Sequence, residues 1–464
     1  MDQQVIKDVL AEALKNGGDF ADIYIEHKRA TGIGCEGGKI ERIQSGIESG
    51  AGIRVISGEA TSYAYTNDLS REGLMGAAKI VSHAAKGEKK DIQFELKQVQ
   101  PRVTFNIKQM PDSVTTEQKV KVVKSADRAA RAVDPDKIKQ VMVGYGDVVQ
   151  KIIIANSEGD YVEDQRVRTR LMVQAVAAEG SVIQTGYEAV GSHSGFELLE
   201  RNDPEEIGRI AAKRAVQMLT AKPAPAGKMP VVLAGEAGGT MVHEACGHGL
   251  EADLVQKGLS VYAGKKGQKV AADCVTVIDD ATMDDRYGSY SFDDEGVPAR
   301  KVVLIENGML KDYMYDRLTA KRDGVEPNGH GRRESYQDKP IPRMGNTYIA
   351  PGQDDPQEII RSAGSGLLVK KMGGGQVNTT TGDFVFDVAE GFLIKNGETG
   401  PMVRGATLTG NGPEVLRIVE KVGSDLGFTI GTCGKDGQGV PVSDAQPTLL
   451  IKQLTVGGTA HGEE

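Results

Sequence analysis

The segment Ala221-Lys-Pro-Ala-Pro-Ala-Gly-Lys-Met-Pro230 divides the sequence into two parts. Its three prolines lie within eight residues, at Pro223, Pro225 and Pro230. Proline has no backbone N–H donor, so it resists both a helix interior and a central strand. We therefore predict a domain boundary here, with an N-terminal domain over residues 1–222 and a C-terminal domain over residues 230–464.

Before this boundary the sequence alternates between helical and strand patterns. Apolar residues recur at helical spacing from Val5 to Leu14, and Gly17-Gly18 can end that helix. Short β-branched and aromatic runs predict antiparallel strands over residues 21–67 and 139–190, with helices at about 70–86 and 116–133. Asp203 and Pro204 are typical of the cap and first residue of another helix. The first domain should therefore be an α/β domain of antiparallel strands with helices.

After the boundary the pattern is richer in strands. Val231-Val-Leu233 predicts a strand, and an apolar segment over residues 240–255 follows a glycine loop, with Thr240 as its candidate cap. Asn307-Gly308 and Asn396-Gly397 are strong hairpin signals. Together the two parts predict an α+β protein whose C-terminal domain is strand-rich.

Composition excludes several classes of protein. The 464 residues include 56 basic and 65 acidic side chains, a net charge of −9, without a long basic run, so we expect no nucleic-acid partner. No apolar run reaches the roughly 18 residues that a membrane helix needs, and the N-terminus lacks the pattern of a signal peptide. Four cysteines are too few for a disulfide framework. We expect a cytoplasmic protein that does not bind membranes.

The segment His243-Glu-Ala-Cys-Gly-His248 is similar to the zinc-binding motif H-E-x-x-H, with one extra residue between the histidines. Residues four apart on a helix differ by roughly 40° around its axis, but residues five apart differ by roughly 140°. A regular helix could not direct both imidazoles at one ion. A π-bulge can, and Gly247 and Gly249 would ease that distortion, so we predict a π-bulge here.

A catalytic zinc ion needs a third protein ligand and one open position. Cys433 is the first candidate because the glycine-rich segment Gly431–Gly437 could expose its sulfur as a turn. Cys246 is the alternative, since it follows His243 by three residues on roughly the same helical face. In either arrangement Glu244 would act as general base, taking a proton from the attacking water and passing it to the leaving amine.

Seven segments, two of which include the motifs above, carry a resemblance to the TldD-type subunit of the TldD/PmbA zinc metallopeptidase family, over most of the C-terminal half. They are His243–Asp253, Asp293–Pro298, Gly331–Tyr336 with Pro342–Met344, Gly382–Phe384, Gly410–Pro413 and Gly431–Gly437. The resemblance implies that His243, His248 and Cys433 bind Zn²⁺ and that Glu244 is catalytic. It also implies a homodimer, or a heterodimer with a related PmbA/TldE-type subunit, that encloses a chamber for peptides or unfolded polypeptides. The N-terminal region resembles the family more loosely, and we expect it to serve assembly and the chamber wall.

Other residues carry weaker hypotheses. Arg332, Arg333 and Arg343 could bind a peptide carboxylate. His330 could join the site, and the acidic run Asp293–Glu295 could hold a second cation or orient an imidazole. Gly373-Gly-Gly375 matches no nucleotide-binding pattern, and we interpret it as a turn.

Two alternative functions share the metal site. One is a zinc amidohydrolase that acts on a small substrate, which would need a smaller pocket. The other is a non-catalytic subunit with a structural zinc ion, which would need a fourth ligand, and Cys246 is the candidate for it.

Overall fold

The computed structural model describes residues 1–85 and 95–459 and has an α+β, strand-rich fold. The first sheet has seven strands: β1 (Phe20–Glu36), β2 (Lys39–Ser57), β3 (Ala60–Thr66), β4 (Lys97–Gln98), β5 (Ile138–Asn156), β6 (Asp160–Glu179) and β7 (Val182–Ser192). Their order is β3-β2-β1-β5-β6-β4, and β7 pairs with the other part of β6. Within the described residues, no helix combines the length and apolar character needed to cross a membrane.

Five helices accompany the first sheet: α1 (Gln3–Leu14), α2 (Arg71–Ala84), α3 (Thr116–Arg131), α4 (Leu198–Arg201) and α5 (Pro204–Leu219). Alternate residues of β1 point to one face of the sheet. Ile23 and Ile25 pack with α1 and α2, whereas Ile33 and Cys35 pack with α3 and α5. The two helix pairs therefore cover the same face at opposite ends of the long strands. The predicted helices and strands of this region are confirmed, except that residue 86 lies outside the described residues.

Residues 220–459 contribute sixteen strands and five short α-helices. In chain order the strands are β8 (Lys222–Pro223), β9 (Gly227–Leu233), β10 (Val277–Asp280), β11 (Lys301–Glu306), β12 (Met309–Leu310), β13 (Gly331–Arg332), β14 (Ile341–Pro342), β15 (Asn346–Ile349), β16 (Gly366–Val377), β17 (Asp383–Lys395), β18 (Glu398–Arg404), β19 (Thr407–Asn411), β20 (Val419–Val422), β21 (Gly427–Lys435), β22 (Gln438–Gln446) and β23 (Leu449–Gly457). The helices are α6 (Thr240–Val242), α7 (Ala252–Gln256), α8 (Arg317–Asp323), α9 (Pro356–Ser362) and α10 (Gly412–Arg417).

Two larger sheets enclose the main core of this region. One has the strand order β12-β11-β10-β15-β22-β21, and the other has the order β16-β9-β23-β19-β17-β18-β8, with β20 beside β23. Buried residues of both sheets, such as Leu304 and Val442 of the first and Leu367 and Phe384 of the second, belong to one apolar cluster. That cluster also contains residues between 241 and 250, so the histidine motif lies where the two sheets meet.

Both predicted hairpins are confirmed. Asn307 and Gly308 join β11 to β12 with φ angles of 49° and 78°. Asn396 and Gly397 join β17 to β18 with φ angles of 52° and 76°. A positive φ at both central residues is the conformation that a two-residue hairpin turn requires, and Asn-Gly adopts it at low cost.

The prolines of residues 221–230 do not keep the segment out of the sheets. Pro223 lies in the edge strand β8, as expected, but Pro230 lies inside β9, which has neighbours on both sides. The expectation that Pro230 would exclude a central strand is therefore wrong. It is tolerated because the β9–β23 ladder shifts register between Ile451 and Leu454, and Pro230 has no partner there. The domain boundary itself stays a prediction.

The acidic run Asp293–Glu295 is buried and contacts the first sheet. Asp294 forms an ion pair of 2.6 Å with Arg166 of β6, and Glu295 forms one of 2.7 Å with Arg54 of β2. Asp293 accepts hydrogen bonds from the backbone amides of Glu295, Val297 and Gly331. These carboxylates therefore join the first sheet to the remainder of the chain, a role that the sequence hypothesis of a cation site did not foresee.

Candidate metal centre

The histidine motif forms a π-helical turn, as its spacing predicted. His243–Gly247 adopt π geometry, and the amide of His248 donates to the carbonyl of His243, five residues earlier. The two imidazole rings consequently lie beside each other in a T-shaped arrangement, with centroids 4.9 Å apart and an interplanar angle of 84°. A regular helix would have placed the rings on different faces.

The elements around this turn are short. The apolar segment 240–255 comprises α6, the π turn, a 3₁₀ turn over His248–Leu250, and α7. Thr240 is the first residue of α6 and Gly239 occupies the cap position, so the prediction that Thr240 caps a helix is wrong.

The glycines of the motif permit close packing. Gly247 has a φ of −52°, which any residue can adopt, but a Cβ atom there would lie 2.2 Å from the Met344 sulfur. A Cβ atom on Gly249 would lie 2.7 Å from the Tyr262 ring. These contacts, rather than a special backbone angle, require glycine at both positions.

Each histidine is oriented by a buried carboxylate. The Nδ1 atom of His243 lies 2.7 Å from Asp444 Oδ1, and the Nδ1 atom of His248 lies 3.1 Å from Glu251 Oε2. A carboxylate accepts a hydrogen bond from Nδ1–H and thereby leaves the Nε2 lone pair of a neutral imidazole directed at a metal. Lys435 lies 3.1 Å from Glu251, so the carboxylate that orients His248 is itself fixed.

Cys433 brings the third ligand atom to the two histidines. It lies on strand β21 and not on a turn, since the turn begins only after Lys435. Its sulfur is 3.4 Å from Nε2 of His248, and one ligand atom from each of His243, His248 and Cys433 lies within 4.8 Å of the others. Arg343 donates to the carbonyl of Cys433 and so fixes the strand at this residue.

The three groups shift one another's pKa values. Burial alone would raise the pKa of Cys433, but hydrogen bonds from His243 and His248 lower it to about 5. Burial would lower the pKa of His248, but Glu251 and Cys433 raise it to about 9. For His243, Asp444 and Cys433 likewise outweigh burial and raise the pKa. The site therefore stabilises a thiolate, which is the form of cysteine that binds metals.

Cys246 lies apart from this group. Its thiol is buried and donates to the carbonyl of Val242 at 3.4 Å, one helical turn earlier. Burial raises the pKa of Cys246 to about 12, so it is a protonated thiol. The π turn thus directs Cys246 into the apolar core and both histidines away from it.

Glu244 faces the cavity that contains the ligand atoms. The cavity has a volume of about 960 Å³ and is lined by parts of β7, β16 and β21 as well as by the motif. Burial raises the pKa of Glu244, while the two histidines oppose this effect. Within residues 1–85 and 95–459 its carboxylate has no hydrogen-bond partner, so it is free to accept a proton from water or substrate.

Gly373–Gly375 form part of a cavity wall. They lie within strand β16, so their interpretation as a turn is wrong. A Cβ atom on Gly375 would lie 2.0 Å from the ring of Phe386 on the neighbouring strand, which explains one of the glycines by packing.

The three arginines considered for substrate binding are buried and bonded within the protein. Arg332 donates to the carbonyls of Met344 and Pro441, and Arg343 donates to those of Gln438 and Cys433. Arg333 donates to Tyr63 and to the Asp294 carbonyl. Of the three, none lines the cavity at the metal ligands. Their role in substrate binding stays a prediction, and Arg343 acts on the site through Cys433.

His330 is also bonded within the protein. It is buried between Asn328, at 2.9 Å, and Asp279, at 3.2 Å. It lies outside the group of ligand atoms.

Sequence reasoning missed the two carboxylates that orient the histidines. A signal for Asp444 exists, because Val440, Val442 and Asp444 alternate along β22 and the first two are buried. An acid that continues a buried alternation in a strand needs a polar partner in the interior. Glu251 offered a weaker signal, as an acid three residues after His248.

Family profiles match along the chain. They describe domain 1 of a PmbA/TldA metallopeptidase at residues 21–85, the central domain at residues 110–219 and the C-terminal domain at residues 226–458. The profiles thus assign two domains to the part of the chain for which the sequence predicted one.

Curated relatives match over nearly their whole length. A metalloprotease of Methanothermobacter thermautotrophicus is 39% identical, covering 95% of this chain and 96% of the relative. A metalloprotease TldD homolog of Haemophilus influenzae is 37% identical, covering 95% and 93%. A zinc metalloprotease TldD homolog of Saccharolobus solfataricus is 28% identical, covering 97% and 99%.

Solved structures share the fold. A protein of Thermotoga maritima described as a modulator of a DNA gyrase has a TM-score of 0.81 at 26% identity, covering 98% of this chain and 100% of that one. TldE of Thermococcus kodakarensis has a TM-score of 0.76 at 20% identity, covering 98% and 100%, which shows the fold alone.

Proposed function

The chain belongs to the PmbA/TldD metallopeptidase family, and from this membership we propose that it is a zinc metallopeptidase that hydrolyses peptides or unfolded polypeptides. One observation carries the proposal: His243, His248 and Cys433 converge beside a free carboxylate, Glu244, in a cavity of about 960 Å³. Three protein ligands and an open side are the arrangement of a catalytic metal site.

The ligand set suits zinc. Two neutral imidazoles and one thiolate form a soft ligand set, which binds Zn²⁺ in preference to Mg²⁺ or Ca²⁺. The orienting carboxylates of Asp444 and Glu251 and the lowered pKa of Cys433 prepare all three donors for such an ion. A relative named as a zinc metalloprotease supports the same choice. When bound, zinc would act as a Lewis acid that activates water and polarises a carbonyl.

Glu244 would be the general base. Its carboxylate lines the cavity directly beside the ligands and its pKa is raised by burial, which moves a carboxylate toward the range useful for proton transfer. It would accept a proton from the attacking water and return it to the leaving amine.

Open strand edges support an extended peptide as substrate. β21 is the last strand of its sheet, and residues 371–377 of β16 pair with β17 on one side only. Both stretches line the cavity. A peptide that adds to such an edge is held through its main chain, so its side chains matter little.

Assembly and location complete the proposal. We infer a dimer, with a second copy or with a PmbA/TldE-type subunit, that encloses the cavity as a chamber in the cytoplasm. The N-terminal domain over residues 1–222 would supply assembly contacts and chamber wall.

Metal content and peptide hydrolysis should be measured together for the wild type, Glu244→Gln and Cys433→Ala, with Cys246→Ala as the matched cysteine control. We expect Glu244→Gln to keep zinc and lose activity, and Cys433→Ala to lose both. Cys246→Ala should keep both, because its thiol faces the core. Normal cleavage by Glu244→Gln would refute the mechanism.

The same experiment addresses the alternatives. A structural zinc ion would need a fourth ligand, and loss of zinc in Cys246→Ala would support that role for Cys246. An amidohydrolase would cleave small amides and leave peptides of ten residues intact.

A further inference from the structure

A second cavity continues the first one along strand β21. It has a volume of about 310 Å³ and shares Ala189, Phe428 and Ile430 with the cavity that contains the metal ligands. Its remaining walls come from the end of β7, from α4 and from the loop at Arg286. We call it the arginine subsite.

Arg286 brings a positive charge without a bound carboxylate to this subsite. Its guanidinium carbon lies 3.8 Å from the centroid of the Phe428 ring. Its Nε atom is buried without a hydrogen-bond partner in the described part of the chain, and burial lowers its pKa. Asp285, the preceding residue, whose charge acts on Arg286, is held by both terminal nitrogens of Arg201 at 2.5 and 3.1 Å. Arg286 can therefore still accept an anionic partner.

Ser192 supplies a second, independent observation. The residue is 2% exposed, its hydroxyl has no hydrogen-bond partner among the described residues, and it lines the same cavity. Buried hydroxyls in proteins are almost always hydrogen-bonded, so this one is prepared for a ligand. A hydroxyl and a guanidinium on one small cavity match the oxygens of a carboxylate.

The backbone around Arg286 is fixed. Its carbonyl accepts from the amides of His193 and Ser289, both at 3.2 Å. The next amide, that of Tyr287, donates to Ser443 Oγ at 2.9 Å. The main chain at Arg286 is thus held between β7 and β22, and little ordering is needed when a ligand binds.

We propose that the arginine subsite binds a carboxylate of the peptide substrate and so sets the distance from that carboxylate to the cleaved bond. The inference rests on the proposed peptidase function. Phe428 and Cys433 are five positions apart on β21. At a rise of roughly 3.3 Å per residue they span about 17 Å, so an extended peptide is cleaved about five residues from the bound carboxylate. The carboxylate can be the C-terminus or an acidic side chain.

Binding to zinc-loaded Glu244→Gln tests the subsite without relying on turnover. Three dye-labelled decapeptides differ only at the end: a free C-terminal carboxylate, a C-terminal amide, and an amide with glutamate as last residue. We expect the dissociation constant of the amide to be about tenfold higher than that of at least one carboxylate peptide.

Second variants assign the effect. Adding Arg286→Gln or Ser192→Ala should bring the ratio of the dissociation constants of the amide and carboxylate peptides close to one. Arg286→Gln keeps much of the side-chain volume, in case a larger truncation destabilises the fold. Arg128→Ala, an exposed arginine of α3, is the matched control and should keep the preference.

The outcomes are distinct. A preference for the free terminus or for the glutamate peptide identifies the source of the carboxylate. Equal affinity for all three peptides, or a preference that survives Arg286→Gln, overturns the inference. Failure of the wild type to cleave any peptide would refute the proposed function, and the binding result would still decide the subsite.

Discussion

The Nδ1 atom of His243 lies 2.7 Å from a carboxylate oxygen of Asp444, a residue 201 positions later in the chain. Asp444 lies on β22, and the neighbouring strand β21 carries Cys433. One hairpin therefore delivers both the third candidate ligand and the carboxylate that orients the first. The π turn and this hairpin together form the candidate metal site, so the site depends on the complete C-terminal fold.

Asp444→Ala should weaken zinc binding. Without the carboxylate, His243 loses the partner that fixes its ring and tautomer, and such changes typically cost about 10- to 100-fold in metal affinity. Competition with a chromogenic chelator measures the dissociation constant. Asp387→Ala, which removes an exposed carboxylate from β17, should leave the affinity unchanged. An unaltered dissociation constant for Asp444→Ala would mean that the ring is held by other contacts.

Gly247→Ala should destabilise the protein and reduce its zinc content. The new Cβ atom would lie 2.2 Å from the Met344 sulfur, in a fully buried contact. Overpacking of this kind typically costs about 1–3 kcal/mol. Gly434→Ala is a matched control, because a Cβ atom there meets nothing within 4 Å although the residue adjoins Cys433.

Thermal unfolding and zinc stoichiometry distinguish the two glycine variants. We expect a lower Tm and substoichiometric zinc for Gly247→Ala only. Equal Tm values would show that Met344 moves aside without cost.

Local rules predicted those features that depend on adjacent residues. The hairpins at Asn307-Gly308 and Asn396-Gly397 followed from two residues each, because the turn needs a positive φ at both positions. The π turn followed from the five-residue spacing of the histidines, because no regular helix satisfies it.

Features set by tertiary packing could not be predicted in this way. Gly375 suggests a turn by composition, but the ring of Phe386 on the next strand is what requires a glycine there. Pro230 was misjudged because its tolerance depends on a register shift in another strand. Arg343 was a candidate for binding a peptide carboxylate, yet it is fully buried and donates to the carbonyl of Cys433. In each case the deciding contact comes from a distant part of the sequence.

Asp316→Asn should make stability less dependent on pH. Burial and the neighbouring Glu295 raise the pKa of Asp316 to about 7, with Arg54 and the Thr319 hydrogen bonds opposing them. An aspartate in the unfolded chain titrates near about 3.9, so its contribution to stability is complete below that pH and is lost as the pH rises through 7. Asparagine can still accept the Thr319 amide bond at the start of α8.

The Tm of Asp316→Asn should therefore rise relative to that of the wild type as the pH increases. We expect the Tm advantage of Asp316→Asn over the wild type to be about 2–4 °C larger at pH 8 than at pH 5. Asp312→Asn, which alters a surface carboxylate paired with Lys266, is the control. A constant difference between the two pH values would contradict the raised pKa.

Backbone methylation of a peptide should block its binding to the strand edge of β21. In an extended peptide alternate amides point to the same side, so those facing β21 would pair with its free edge. Two peptides of one sequence, N-methylated at the odd or at the even positions, are compared with the unmethylated peptide on zinc-loaded Glu244→Gln. The dissociation constant of at least one methylated peptide should be more than about tenfold higher, because each lost amide leaves a strand carbonyl without its donor.

Exchanging the apolar side chains for others of similar size should change the dissociation constant less than about threefold. If both methylated peptides bind as tightly as the parent while side-chain exchange abolishes binding, recognition depends on side chains and the strand-addition hypothesis is wrong.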